Sequence, residues 1–436
     1  MTVRAYRVLA VTMIALAHST PVAAAVNPPP VDDLRLPAAG PVAPAHPTAQ
    51  FDACIATPPA ATAAPGQLTG IDLPSVWALT RGAGQTIAVI DTGVARHRRL
   101  PHLVAGGDFV SQHDGTHDCD GHGTIVAGII GATPDAADPG GFTGIAPDVS
   151  LLSIRQSSTK FHAIDDPGGG GVGDVETLAA AVRTAADLGA TVINISTVAC
   201  LPVGSDLDDR ALGAALSYAV EVRNAVVVTA AGNVGGPGQC PQHNPREAAD
   251  AGDVSVVASP AWYDEYVLTV GSVGPDGTPS AFSLAGPWVD VAAVGEGVVS
   301  LAAAADGLAD VTPSGTPISG TSYAVPVVAA VAALVRARFP ELPARQVMRR
   351  IEDTARRPAA GWDPVVGHGI VDALAAISGP GALPSPPRSV VPVDPAESGV
   401  VPLQSATAVR GAVICLTLTA TVAVGAALLS RVRRRG

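Results

Sequence analysis

The stretch Ser319-Gly320-Thr321-Ser322-Tyr323-Ala324-Val325-Pro326 opens a long apolar run that continues to about Arg338. It reads as a tight glycine-containing turn delivering a serine onto the first turn of a long apolar helix. The rest of the chain has to be arranged around that serine. A hydroxyl there sits over the positive end of a helix dipole, where backbone N–H groups lack intrahelical partners. Those donors can stabilise an oxyanion forming beside the serine oxygen. Taken alone, Thr321 or Ser322 reads better as a helix N-cap.

Two other stretches change that reading. Thr86-Ile87-Ala88-Val89-Ile90-Asp91-Thr92-Gly93-Val94 is an apolar run that ends in Asp. It has the form of a buried parallel strand carrying a carboxylate to its C-terminal end. In open α/β sheets that edge is where ligands bind. Asp120-Gly121-His122-Gly123-Thr124-Ile125-Val126-Ala127-Gly128 sets a His between glycines at the start of a small-residue helix. The glycines let other backbone and a bulky substrate approach the imidazole. A lone His or a lone strand-terminal Asp is usually structural. Together with the serine, in the order Asp, His, Ser, they form the set that nucleophilic catalysis needs.

Asp91-Thr92-Gly93, His122-Gly123-Thr124 and Gly320-Thr321-Ser322-Tyr323-Ala324-Val325-Pro326 resemble the three signature blocks of subtilisin-like serine proteases. Val226-Val227-Val228-Thr229-Ala230-Ala231-Gly232-Asn233 resembles the segment that presents that family's oxyanion-hole asparagine. Asn194-Ile195-Ser196-Thr197 resembles its substrate-pairing segment. The resemblance covers roughly 70–377 and implies an α/β fold, a doubly wound parallel sheet flanked by helices. It implies Asp91, His122 and Ser322 as catalytic residues, Asn233 as oxyanion donor, and Ser196 and Thr197 in substrate binding. The chain order Asp, His, Ser is that of subtilisin.

Strands and helices alternate through this region, as a parallel sheet with right-handed crossovers requires. Strands are expected at 86–90, 151–155, 191–195, 226–230, 267–270 and 289–292. Helices are expected at 122–131, 175–186 and 207–223. Between Gln156 and Asp174 the run Gly168-Gly169-Gly170-Gly171 offers nothing to pack. That segment is expected to be a mobile insertion, with a lid beside the cleft as the functional alternative.

The flanks read differently. Arg4 and Arg7, an apolar core from Val8 to Ala17, and Ala23-Ala24-Ala25 make a signal peptide cleaved after Ala25. The core is too short to span a bilayer. Residues 26–69 are rich in Pro and Ala and should run extended over the surface. About 45 residues of this composition cannot build the separately folded inhibitory pro-domain common among subtilases. The peptidase domain would occupy 70–378 and a Pro-rich linker 379–410. Residues 411–430 form a stretch long enough for one C-terminal transmembrane helix. The basic tail, 431–436, would then stay cytoplasmic and the catalytic domain would face outside. Net charge is -12, with Lys160 the only lysine, which argues against nucleic-acid binding.

Cys54, Cys119, Cys200 and Cys240 lie in the exported part, Cys415 in the span. Four cysteines allow three pairings. Cys54–Cys119 with Cys200–Cys240 is favoured here. The first would pin the extension beside His122, and the second would join the loops that follow Ser196-Thr197 and Asn233. No Cys-x-x-Cys spacing suggests a metal site. No cofactor is expected for the chemistry. Many subtilases hold structural calcium, and no acidic loop here demands it.

The layout of signal peptide, cysteine-bearing extension, protease domain, linker, single span and basic tail resembles a mycosin. Mycosins are membrane-anchored subtilases associated with type VII (ESX) secretion. That resemblance implies a cell-membrane protein facing the periplasm or cell envelope. Its partners would be protein or peptide substrates, the type VII secretion membrane complex, and the membrane itself through the C-terminal helix. Two function classes follow: an endopeptidase that processes exported proteins, or a structural component of the secretion complex.

Overall fold

A computed structural model describes residues 26–56, 65–135, 141–236, 239–246, 254–304 and 306–380. The expected signal peptide, the 411–430 span and the 431–436 tail lie outside these residues, as does all but the start of the linker. The extension carries β1 (Thr48–Gln50) and leads into α1 (Leu73–Trp77). Then come β2 (Thr86–Asp91), β3 (Leu103–Asp108), α2 (His122–Gly131), β4 (Ser150–Arg155), β5 (Phe161–Ala163) and α3 (Val175–Asp187). Next are β6 (Val192–Ile195), β7 (Ala199–Pro202), α4 (Arg210–Ser217), β8 (Val226–Ala230), β9 (Val256–Ser259), β10 (Leu268–Val273) and β11 (Val291–Val294). The chain closes with β12 (Ser300–Leu301), β13 (Leu308–Ala309), α5 (Thr321–Arg338), α6 (Ala344–Thr354) and α7 (Ala373–Ile377).

Seven strands make one sheet in the order β11-β10-β8-β6-β2-β4-β3, every neighbouring pair parallel. This is the expected doubly wound subtilisin-like sheet. β2 is central, paired with β4 on one side and β6 on the other, so residues 87–91 are all buried. An uninterrupted Ile-Ala-Val-Ile run suits such a strand, because helices cover both faces. From β2 the chain first builds outward to β3 and β4, then crosses to β6 and beyond. The reversal leaves a crevice at the carboxyl ends of the central strands, beside Asp91.

α5 runs through the core, with Ala324 to Val335 buried without a break. Among the described residues it alone is long and apolar enough to cross a membrane, but most of it is packed inside the protein. Its apolar character on every side is that of an internal helix rather than a surface one. Pro326 has no N–H to offer the Ser322 carbonyl one turn back. In the first turn of α5 the Thr321 N–H, which has no partner within the helix, is held from outside, as described below.

Two expectations need correcting, and one strand of the sheet lies outside those expected. The 156–174 insertion is not an unpacked loop. β5 pairs antiparallel with β1 of the extension, and Phe161 is buried against Val110 and Cys119. Ser158 and Val172 also exchange backbone hydrogen bonds, at 2.9 Å each. The glycine-rich tip around 164–170 stays largely exposed. The helix expected over 207–223 begins at Arg210 and gives way to a π turn over Tyr218–Val222. Finally, β3 was not foreseen. Its Val104-Ala105-Gly106-Gly107 core contains two glycines, and its register with β4 shifts between Ala105 and Gly107. A bulged edge strand carries little apolar signal.

Candidate active site

Asp91 is the last residue of β2 and is fully buried. His122 opens α2, and Ser322 stands in the first turn of α5. Although 31 and 200 residues separate these side chains in sequence, they meet at one edge of the sheet. Asp91 Oδ1 lies 2.7 Å from His122 Nδ1, and His122 Nε2 lies 3.0 Å from Ser322 Oγ. With Nδ1–H donating to Asp91, Nε2 is the acceptor that faces the serine hydroxyl. Asp91 Oδ1 also accepts the Thr92 N–H at 2.7 Å, which fixes the carboxylate plane.

The approach depends on glycine. A methyl group built on Gly123 would lie 2.0 Å from the Gly93 carbonyl oxygen and 3.1 Å from Asp91 Cβ. Gly93 itself has φ of 99°, a conformation L side chains rarely adopt. The Thr-Gly that follows Asp91 and the Gly-Thr that follows His122 thus let two backbones nearly touch. Burial disfavours charge on His122, but the Asp91 charge and hydrogen bond outweigh it. The imidazole pKa is raised above the ordinary histidine value as a result. A base tuned this way takes a proton readily near neutral pH.

Asn233 follows β8, with its side chain clamped. Its Oδ1 accepts the Thr321 N–H at 2.9 Å and the Thr321 hydroxyl at 3.0 Å. Holding the oxygen turns the Nδ2 donors toward the nucleophile. A methyl on Gly320 would come 3.2 Å from Ser322 Oγ and 3.4 Å from Asn233 Nδ2. The bare glycine keeps the space between those atoms open. A donor so fixed matches the requirements of an oxyanion hole.

A cleft of about 500 Å³ surrounds these groups. Ser196, Thr197 and Val198 line one side and Tyr323 another. Ser196 is buried and accepts from Asn194 Nδ2 at 2.9 Å, while Thr197 is half-buried at the cleft wall. Cys54–Cys119 and Cys200–Cys240 are both disulfide-bonded, the pairing favoured from sequence. The first carries Ile55 of the extension to the cleft rim, and the second forms part of the cleft wall itself. Among the described residues, no three His, Cys, Asp or Glu side chains gather as a metal-ligand set.

Sequence reasoning passed over Tyr323, Asp118 and Asp120. The Tyr323 ring packs on His122 with centroids 5.1 Å apart. Asp120 accepts from the Thr159 N–H at 2.8 Å and from the Ser158 and Thr159 hydroxyls, tying the 156–174 insertion to the turn before His122. Only their closeness to the His and Ser blocks could have flagged them.

The model of the Subtilase family matches residues 82–369. The chain belongs to the subtilases. It is a serine endopeptidase of that family. Mycosin-4 of Mycobacterium tuberculosis is 56% identical over 97% of this chain and 96% of its own length. That similarity places the chain among the mycosins within the family. The solved structure of the MycP3 protease from the type VII (ESX-3) secretion system is 45% identical, with a TM-score of 0.74. It covers 81% of this chain and 100% of its own. A chain in the structure of an intact ESX-5 inner membrane complex aligns with a TM-score of 0.76 at 38% identity. That match covers 93% of this chain and 99% of the other.

Proposed function

We propose that this chain is a membrane-anchored endopeptidase facing outside the cytoplasmic membrane, processing proteins exported by a type VII secretion system and working within that system's membrane complex. In this reading the chain comprises a signal peptide at 1–25, an extension at 26–69, a peptidase domain at 70–378, a linker at 379–410, one span at 411–430 and a basic tail at 431–436. The observation that carries the chemical part is the continuous hydrogen-bonded path from Asp91 through His122 to Ser322.

Along that path Ser322 attacks the scissile carbonyl while His122 takes its proton. His122 later returns the proton to the leaving amine, and Asp91 holds the imidazole tautomer and stabilises the imidazolium. The Asn233 amide, with the Ser322 N–H, binds the oxyanion. Backbone beside Ser196 and Thr197 pairs with an extended substrate as an added strand. The test is fluorophosphonate labelling of the exported domain. Modification at Ser322, abolished in Ser322→Ala, is expected; labelling that persists in the variant would refute the assignment.

A scaffold role is the second reading, and similarity to a chain of an assembled ESX-5 membrane complex favours it. Ser322→Ala removes one oxygen and leaves the surface intact, whereas deletion removes both chemistry and contacts. Cells carrying Ser322→Ala should still export type VII substrates, uncleaved, while cells lacking the chain should not. Equal loss of export in both strains would leave proteolysis as the whole function.

A further inference from the structure

Four residues before His122 stands a second buried carboxylate that the triad chemistry leaves unused. Each oxygen of Asp118 accepts two hydrogen bonds. Oδ1 takes the Thr92 hydroxyl at 2.9 Å and the Gly121 N–H at 2.7 Å. Oδ2 takes the Thr124 N–H at 2.8 Å and the Thr124 hydroxyl at 2.6 Å. These donors come from both sides of the site. Thr92 directly follows Asp91 at the end of β2, whereas Gly121 and Thr124 bracket His122 at the start of α2. Two more bonds close the frame: the Gly123 N–H donates to the Thr92 hydroxyl at 3.0 Å, and the Ala95 N–H to the Thr124 hydroxyl at 2.9 Å.

A charge in this place is costly to keep. Burial lifts the Asp118 carboxyl to about 6, opposed by its Thr124 hydrogen bonds, and the neighbouring Asp91 charge adds to the lift. A buried carboxylate persists only when its lone pairs are satisfied. Here the four donors that satisfy it also join the two elements whose separation sets the distance between Asp91 and His122.

We propose that Asp118 is a positioning residue for the catalytic histidine, a carboxylate bracket that locks the start of α2 onto the strand end carrying Asp91. The proposal rests on the triad reading above. The residue type matters, because one donor at each oxygen is a backbone N–H, which cannot turn round to become an acceptor. An asparagine has one oxygen, so its amide group must face one of those N–H groups whichever way it is turned.

The experiment compares Asp118→Asn, Thr124→Val and Thr124→Ser in the full chain, reading kcat, KM and the pH dependence of kcat/KM on a peptide substrate. Asp118→Asn should lower kcat about 10- to 100-fold with KM within about twofold, since a misplacement of about 1 Å costs that much in turnover. The charged groups around His122 are Asp91, Asp118 and Asp120, and all three raise its pKa. Losing the Asp118 charge should therefore also move the acidic limb to lower pH, which loss of stability alone would not do. Thr124→Val should lower kcat, because it takes one donor from the Asp118 carboxylate and one acceptor from the Ala95 N–H, and Thr124→Ser, which keeps the hydroxyl, should restore turnover. If Asp118→Asn does not fold, the Thr124 pair still decides. Full turnover in Asp118→Asn, an unmoved limb, or equal turnover in Thr124→Val and Thr124→Ser would overturn the proposal while labelling at Ser322 persists. Absence of Ser322 labelling in the unaltered protein would instead overturn the triad reading, and this proposal with it.

Discussion

Gly123→Ala sets two magnitudes against each other. Gly123 is the second residue of α2, and alanine is the better helix former by about 1 kcal/mol. Propensity alone therefore predicts a more stable protein with unchanged activity. The site predicts the reverse. Ordinary contact begins near 3.4 Å, and the added methyl would lie 2.0 Å from the Gly93 carbonyl oxygen, about 1.4 Å too close. Both partners are backbone, so neither can swing aside as a long side chain would. Relief has to come from moving the first turn of α2 away from the end of β2, which draws His122 from Asp91. Overpacking of this kind costs about 1–3 kcal/mol, which cancels or exceeds the propensity gain. A shift of about 1 Å in the base should lower kcat by about 100-fold. Gly131→Ala, in the same helix, is the control. Its nearest neighbours would be side-chain atoms, Leu151 Cδ1 at 3.3 Å and Val149 Cγ2 at 3.4 Å, so turnover should be unchanged. Steady-state hydrolysis of a peptide and the thermal unfolding midpoint would be measured for both variants. Wild-type turnover in Gly123→Ala, or an equal loss in Gly131→Ala, would show that the backbone contact does not set the geometry of the triad.

Three further outcomes are expected. Asn233→Ala should lower kcat by about 10²–10³ with little change in KM, since the amide acts on the transition state; that magnitude is carried over from subtilisin, a member of the same family. Unchanged single-turnover hydrolysis would remove Asn233 from the mechanism. Activity needs neutral His122, whose pKa is raised by Asp91, so kcat/KM should fall as pH drops through a value above the ordinary histidine range. In Asp91→Asn the remaining activity should persist to lower pH, and a pH–rate series that shows no such displacement would count against the coupling. Non-reducing peptide mapping should find Cys54 joined to Cys119 and Cys200 to Cys240, each bridge stabilising by about 4 kcal/mol in the chain-entropy picture. Free thiols at these positions in exported protein would contradict it.

Local chemistry alone determined a good deal. The short, β-branched Ile87–Ile90 run ending at a turn pointed to a strand buried on both faces, and the much longer apolar sequence after Ser322 to a helix, because run length and flanking residues separate the two elements. The short glycine-flanked blocks around Asp91, His122 and Ser322 named the triad, since nucleophilic catalysis constrains residue type and backbone approach together. Other features arise only when distant segments meet. β1 is three residues of Thr-Ala-Gln with no apolar signal, and it becomes a strand because β5 offers it an edge. The glycine-rich insertion is ordered at its base by Phe161, buried beneath the extension, and by the Asp120 carboxylate, neither of which its own composition suggests. Asp118 carries no signal of its own in the sequence, yet folding surrounds it with four donors from two elements. A hydrogen bond to a partner dozens of residues away leaves no periodic trace in the chain, so only the tertiary structure could decide it.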